Sequence, residues 1–81
     1  MTESEIKNAV LEIIRDVAGL DEVPEVDGEQ PLREQLDLDS MDFLDIVMEL
    51  RKRHKIEVPE ADYPKLATLS STVAYIKGRQ G

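Results

Sequence analysis

Three stretches of this chain repeat their apolar residues at helical spacing, and none alternates apolar with polar side chains as a strand would. Ile6, Val10, Ile13 and Val17 stand at i, i+4, i+7 and i+11, with Leu11 and Ile14 widening the stripe. Thr2 and Glu5 ahead of them form a Thr-x-x-Glu capping box, which satisfies two otherwise unpaired amides, and Gly19 supplies the stop. A second helix is predicted to start at Asp39-Ser40, both N-cap residue types, with Asp42 in the first turn where the helix dipole favours negative charge. Leu44, Val47 and Leu50, with Phe43 and Ile46, read as its apolar face. Arg51, Lys52, Arg53, His54 and Lys55 close it at the end where positive charge is favoured. Pro59 forbids continuation, and Asp62-Tyr63-Pro64 limits the next segment to a short turn from about Glu60 to Tyr63. Thr68 caps a last helix in which Leu69, Val73 and Ile76 share a face before Gly78 ends it.

Residues 19–38 lack any such period and are punctuated by Gly19, Pro24, Gly28 and Pro31. A connection of roughly 20 residues is long for a compact domain. Leu20, Val23, Val26, Leu32 and Leu36 are spaced as anchors that would pin it to the core, so an ordered loop is expected. At 81 residues there is room for one domain, residues 1–81, and the stripes can be buried only against each other. The expected fold is all-α: a small antiparallel four-helix bundle, three main helices and one short, with the long ordered loop between the first two.

The same size restricts function. A chain this short buries only about 60% of its unfolded surface. Its aliphatic core, with one Phe, two Tyr and no Trp, leaves little room for a deep enzyme cleft. Cysteine is absent, which removes disulfides, thiolate metal sites and cysteine nucleophiles together. No apolar run approaches the roughly 18 residues of a membrane span, and Met1-Thr2-Glu3-Ser4-Glu5 lacks the pattern of a signal peptide. A cytoplasmic monomer is expected. The net charge of −8 argues against nucleic acid, and it is uneven: residues 1–50 hold fifteen acids and three bases, residues 51–81 three acids and seven bases. Such a surface favours basic protein partners, though excess acid also simply keeps a domain soluble.

The distinctive segment is Leu36-Asp37-Leu38-Asp39-Ser40-Met41-Asp42-Phe43. A hydroxyl in the first turn of a helix sits at the positive end of the dipole, a favourable place for a phosphate ester. Alone, a serine there is ordinarily a plain N-cap, and the acids on both sides would repel a phosphate. In context the segment resembles the acyl carrier protein family, whose hallmark is Asp-Ser-Leu at the start of the second helix; here Asp39, Ser40 and Met41 correspond. The likeness continues through Leu50, through Ile56-Glu57-Val58-Pro59, and through Thr68-Leu69, Val73 and Tyr75-Ile76.

The resemblance implies that a phosphopantetheinyl transferase, using coenzyme A and magnesium, esterifies Ser40 with 4′-phosphopantetheine. The arm's terminal thiol would carry acyl groups as thioesters to acyl-transfer, ligase or synthase enzymes, and the protein itself would catalyse nothing. It further implies that the second helix faces those enzymes, through Met41, Asp42, Asp45, Met48 and Glu49. For the two Met residues ordinary core packing is the competing reading, and for Asp42 and Asp45 a solvated helix face.

Three departures from the family pattern stand out. Asp37 replaces a common Gly, which makes the approach to Ser40 more acidic and less flexible. Phe43 stands where smaller side chains are common and would narrow the entry for acyl chains. The basic run Arg51–Lys55 replaces acids and would change the partner set. Together they point to a specialised carrier, with an aminoacyl or peptidyl carrier as the alternative. Calcium binding at Asp37-x-Asp39-x-x-Asp42 fails, because the fifth, sixth and twelfth positions of an EF-hand loop would be Met41, Asp42 and Met48. Ser40 lacks a nucleophile elbow, and the sole histidine, His54, lies 14 residues along the same helix.

Overall fold

The computed structural model describes residues 2–80, with only the backbone of Gln80; Met1, the first residue of the segment read for a leader, and Gly81 lie outside it. The chain runs through α1 (Glu3–Ala18), α2 (Leu32–Gln35), α3 (Ser40–His54), a 3-10 helix (Glu60–Leu66) and α4 (Leu69–Gln80). The capping box of α1 forms as read, with Glu5 N donating to Thr2 Oγ1 at 3.1 Å and Thr2 N to Glu5 Oε1 at 2.8 Å. Gly19 ends α1 at φ 71°, and Leu20 N returns to Arg15 O at 2.9 Å. Ile6, Val10, Ile13 and Ile14 are fully buried and meet Ile46, Val47 and Leu50 of α3 and Leu69 and Ile76 of α4 in one apolar core. Thr72, the buried polar residue of that core, donates its hydroxyl to Thr68 O at 2.7 Å.

The bundle is all-helical as expected, but it has two short helices. The added one, α2, lies inside the segment read as loop. Four residues are too few to show a period, and this helix is held from outside: Leu32 N donates to Ala67 O at 2.8 Å, and Pro31 bridges to Thr68. The Gln35 carboxamide accepts from Asp27 N at 2.7 Å and donates to Asp27 O and Gln30 O at 2.8 and 2.9 Å. These bonds fold residues 27–35 back on themselves, and Ser70 N to Gly28 O, 3.0 Å, ties them to α4. Of the five expected anchors Leu32 is buried and Val26 and Leu36 pack on the core, whereas Leu20 and Val23 are exposed.

Two expected ends also move. The 3-10 helix continues three residues past Tyr63, through Pro64. Its bonds reach back three residues, and Pro64 opens the turn closed by Ala67 N to Pro64 O, where no proline N–H is needed. The last helix runs through Gly78, which lacks a left-handed φ and has open space around it. Its helical cost of about 1 kcal/mol relative to Ala does not end the helix.

Left-handed backbone appears instead at Asp37 (φ 52°) and Lys55 (φ 57°), each just after a helix. At both, the following amide closes the turn: Leu38 N to Arg33 O at 2.9 Å and Ile56 N to Leu50 O at 3.3 Å. A non-glycine residue is strained there by about 1–2 kcal/mol, partly offset by the larger entropy glycine has when unfolded. Asp37→Gly and Lys55→Gly are therefore each expected to stabilise by roughly 0.5–1 kcal/mol in urea unfolding at unchanged m-value. A loss of stability in Asp37→Gly would mean that its side chain, and not only its backbone, holds the turn.

Candidate functional site

Ser40 is the first residue of α3, and the residue before it does the capping. Asp42 N donates to Asp39 Oδ1 at 2.8 Å, and Asp39 N donates to Asp42 Oδ2 at 3.2 Å, a capping box built from two aspartates. Ser40 Oγ is consequently released from helix capping and stands exposed at the dipole's positive end. It accepts one hydrogen bond, from Arg33 Nη2 at 3.2 Å. Arg33 also approaches Leu38 O through Nε at 3.5 Å. The turn at Asp37 and the buried Leu38 fix α2 against the start of α3, which brings the two side chains together. A phosphate ester fits this place chemically: the hydroxyl is free and accessible, and a guanidinium faces it amid the acids Asp37, Asp39 and Asp42.

The outward face of α3 is apolar at its centre. Met41 is 73% exposed, Leu44 44% and Met48 52%, at i, i+3 and i+7. Asp45 is exposed beside them. Core packing is thus not the role of the two Met residues. Leu44, read from the sequence as part of the core stripe, belongs to this outward face instead: Ile46, Val47 and Leu50 already fill the side toward α1. The apolar count alone does not mark Leu44 as outward, since α1 buries six apolar residues on a helix of similar length. Asp42 is occupied in the capping box. Glu49 accepts from Arg53 Nε at 2.9 Å, with Lys52 Nζ at 3.9 Å, so it is bound within its own helix.

Behind Ser40 lies an apolar cavity of about 90 Å³ whose lining includes Val10, Ile14, Leu38, Phe43, Ile46 and Leu50. Phe43 packs edge-on against Tyr63, ring centroids 5.4 Å apart, which fixes it there. Arg33 lines the same cavity.

The basic run is mostly answered from within. Arg53 Nη2 lies 2.8 Å from Asp16 Oδ2 of α1, and Arg51 Nε lies 3.9 Å from Glu57 Oε1. The hydrogen bond from Arg53, then that from Arg15, holds the Asp16 carboxyl below its usual range. The Tyr75 hydroxyl, donating at 2.6 Å, does the same for Asp62, helped by the charges of Lys65 and Arg79. Because its folded pKa is depressed, the charge of Asp62 adds stability that is complete above the carboxyl's unfolded pKa near 3.8 and disappears as pH falls through the folded value. The Tm gap between the wild-type protein and Asp62→Asn is expected to be largest above about pH 5 and to close toward pH 2. A gap constant across that range would contradict this. His54 ends α3, roughly 20 Å from Ser40 at 1.5 Å per residue, and cannot serve as its base.

Among the described residues no group of three or more His, Cys, Asp or Glu is placed to hold a metal ion, and no helix is long and apolar enough to cross a membrane. Residues 8–76 match the family model of the phosphopantetheine attachment site. The chain is 35% identical over 80 residues to an acyl carrier protein of Lactobacillus johnsonii, covering 99% of each chain. It is likewise 35% identical over 80 residues to one of Rubrobacter xylanophilus, covering 99% of this chain and 98% of that one. A meromycolate extension acyl carrier protein of Mycobacterium tuberculosis is 31% identical over 77 residues, 95% of this chain and 66% of that one.

Proposed function

We propose that this chain, which belongs to the acyl carrier protein family, carries acyl groups on a 4′-phosphopantetheine arm esterified to Ser40 and serves a specialised pathway. Members of the family are carriers rather than enzymes, loaded by a phosphopantetheinyl transferase and attended by acyl-handling enzymes. The observation that carries the assignment of Ser40 is the division of labour at the head of α3: Asp39 caps the helix, so the neighbouring hydroxyl is free to be esterified. In loading, Ser40 Oγ loses its proton and bonds to the pantetheine-side phosphorus of the coenzyme A pyrophosphate, the bond from that phosphorus to the bridging oxygen breaks, and 3′,5′-ADP leaves; the base and magnesium belong to the transferase. The bound group supplies a thiol, which this chain lacks, for thioester formation.

In this reading residues 1–81 act as one carrier domain, a monomer in the cytoplasm. Partner enzymes approach the exposed Met41, Leu44 and Met48 with Asp45 beside them, where apolar area gives affinity and acid gives steering. Glu49 and Asp42, tied up in local bonds, contribute charge at the margin.

What supports a specialised pathway is Phe43. An apolar cavity of about 150 Å³ is what holds a benzene ring, and the one here is about 90 Å³ with Phe43 in its wall. A long acyl chain would need the bundle to open. The relative named for meromycolate extension is a carrier with its own dedicated task, which is compatible with such a role here. Phe43→Ala is expected to lower stability by about 1–3 kcal/mol, below the roughly 3–5 kcal/mol of a fully buried aromatic truncation because the ring is half-buried. It should also enlarge the Tm gain on loading a long acyl chain, measured as the acylated-minus-unacylated difference within each protein. An equal gain in both proteins would remove Phe43 as the limit on cargo.

The reading is tested by incubating the protein with a broad-specificity transferase, coenzyme A and magnesium. Intact mass should rise by a single phosphopantetheine, mapped by peptide fragmentation to Ser40. No gain with a transferase active on a control carrier would overturn it.

A further inference from the structure

The attachment site contains a cation, Arg33. Acids surround Ser40: Asp39 and Asp42 form the capping box, and Asp37 lies in the turn before it. An anionic diester on Ser40 would sit at a helix start that holds the carboxylates of Asp39 and Asp42, which repel it. Arg33 is placed to answer that charge. Its Nη2 donates to Ser40 Oγ at 3.2 Å, the very atom the diester would be built on, and Arg33 makes no ion pair with a carboxylate among the described residues. The fork is planar and has further N–H groups to offer a phosphate.

The position of Arg33 is built in. Leu32, its neighbour, is buried and bonded to Ala67 O; Gln35 ties down the other end of α2; and Arg33 O itself accepts from Leu38 N. The backbone of Arg33 is thus fixed relative to Ser40, and only its side chain must order. Arg33 also lines the apolar cavity, so it stands between the attachment point and the interior.

Resting on the assignment of the arm to Ser40, we propose that Arg33 is a positioning residue that clamps the phosphodiester of the loaded arm, offsetting the surrounding acids and restricting the arm's first rotations toward the cavity side of α3. The chemistry recognised is a phosphate diester, and the contact is a charge-assisted hydrogen bond formed within the chain. It is exposed, so it restrains the arm without locking it, which suits a group that must be handed to several enzymes.

Phosphorus NMR of the loaded protein tests this. Wild type, Arg33→Gln and Arg33→Lys are each loaded at Ser40, and loading and folding are verified by intact mass and thermal melting. In Arg33→Gln the phosphorus line is expected to narrow and move toward that of a free model diester. Its bound-to-free ratio should fall about two- to fivefold, the range an exposed charge pair supports. Arg33→Lys should recover part of the effect, since charge remains without the fork, and about 1 M salt should collapse the difference between wild type and Arg33→Gln. If wild type and Arg33→Gln load equally and give the same phosphorus shift and linewidth, the clamp is overturned while the carrier reading stands. If the wild-type protein does not load at Ser40 at all, both fail together.

Discussion

Ser40→Ala is expected to abolish attachment of the arm completely while leaving the fold and the melting temperature almost unchanged. The first half follows from chemistry: the methyl of alanine offers no oxygen, and Ser70 and Ser71 do not stand in for it because they lie at the start of a different helix, their hydroxyls donating to Glu29 Oε1 and Thr68 O. The second half follows from the cap. If Ser40 were the N-cap, its loss would cost about 1 kcal/mol, up to about 2. In an 81-residue domain that is a fall of several degrees, at about 4–8 °C for each kcal/mol. Asp39 carries the cap, so alanine at Ser40 removes only an exposed hydroxyl from the first turn and puts a better helix former there. The contact to Arg33 is lost, but it is exposed and worth a fraction of 1 kcal/mol. Asp39→Ala is the contrasting variant: it should lose about 1–2 kcal/mol while Ser40 remains available for loading. Mass spectrometry and thermal melting together separate the two residues. A large stability loss in Ser40→Ala would mean that the hydroxyl, and not the Asp39 carboxylate, holds the end of α3.

Sequence and structure part company in an orderly way. The elements legible in the sequence are those whose signals are local and repeated: the Thr2–Glu5 box, the Ile6-to-Val17 stripe, the start at Asp39-Ser40 and the cap at Thr68, whose Oγ1 accepts from Ser71 N at 3.0 Å. What escaped depends on tertiary bonds. Pro31-Leu32-Arg33-Glu34-Gln35 begins with a residue suited to a helix start and continues with helix formers, yet four residues cannot sustain a helix unaided. The bond from Leu32 to Ala67, 35 positions away, holds it. Without α2 the meeting of Arg33 and Ser40 has no visible pattern, because seven residues separate them across a turn with a left-handed aspartate. That turn also explains the departure at Asp37: it holds the conformation a glycine would take, so the substitution adds charge without redirecting the chain. The basic run tells a similar story. As sequence it reads as a changed partner surface, whereas much of it joins α3 to Asp16 and to neighbouring acids.

The sharpest distinction between reading and structure concerns two leucines of α3, and it yields the largest expected loss of stability. Leu44 and Leu50 fall on the same stripe in the sequence. In the fold Leu50 is 1% exposed and lines the same cavity as Val10 and Ile14, while Leu44 is 44% exposed. Leu50→Ala should lose about 2–5 kcal/mol, from the buried methyl groups removed and from the void left behind. The upper part of that range is favoured because Leu50 already lines a cavity of about 90 Å³. Neighbours held by the bonds of α2 and the 3-10 helix cannot collapse freely into a larger one. A domain of this length has total stability of roughly 4–12 kcal/mol, so the variant should melt some tens of degrees lower or be partly unfolded at room temperature. Leu44→Ala, the same chemical change six residues earlier, should cost less than about 1 kcal/mol, in line with surface substitutions. Its effect should appear instead as weaker capture by an acyl-handling enzyme, because it removes the centre of the Met41–Leu44–Met48 face. Urea unfolding of both variants, with binding measured for Leu44→Ala at a temperature where it is fully folded, separates core from docking surface. Comparable destabilisation of the two would place Leu44 back in the core and leave the outward face of α3 without its middle.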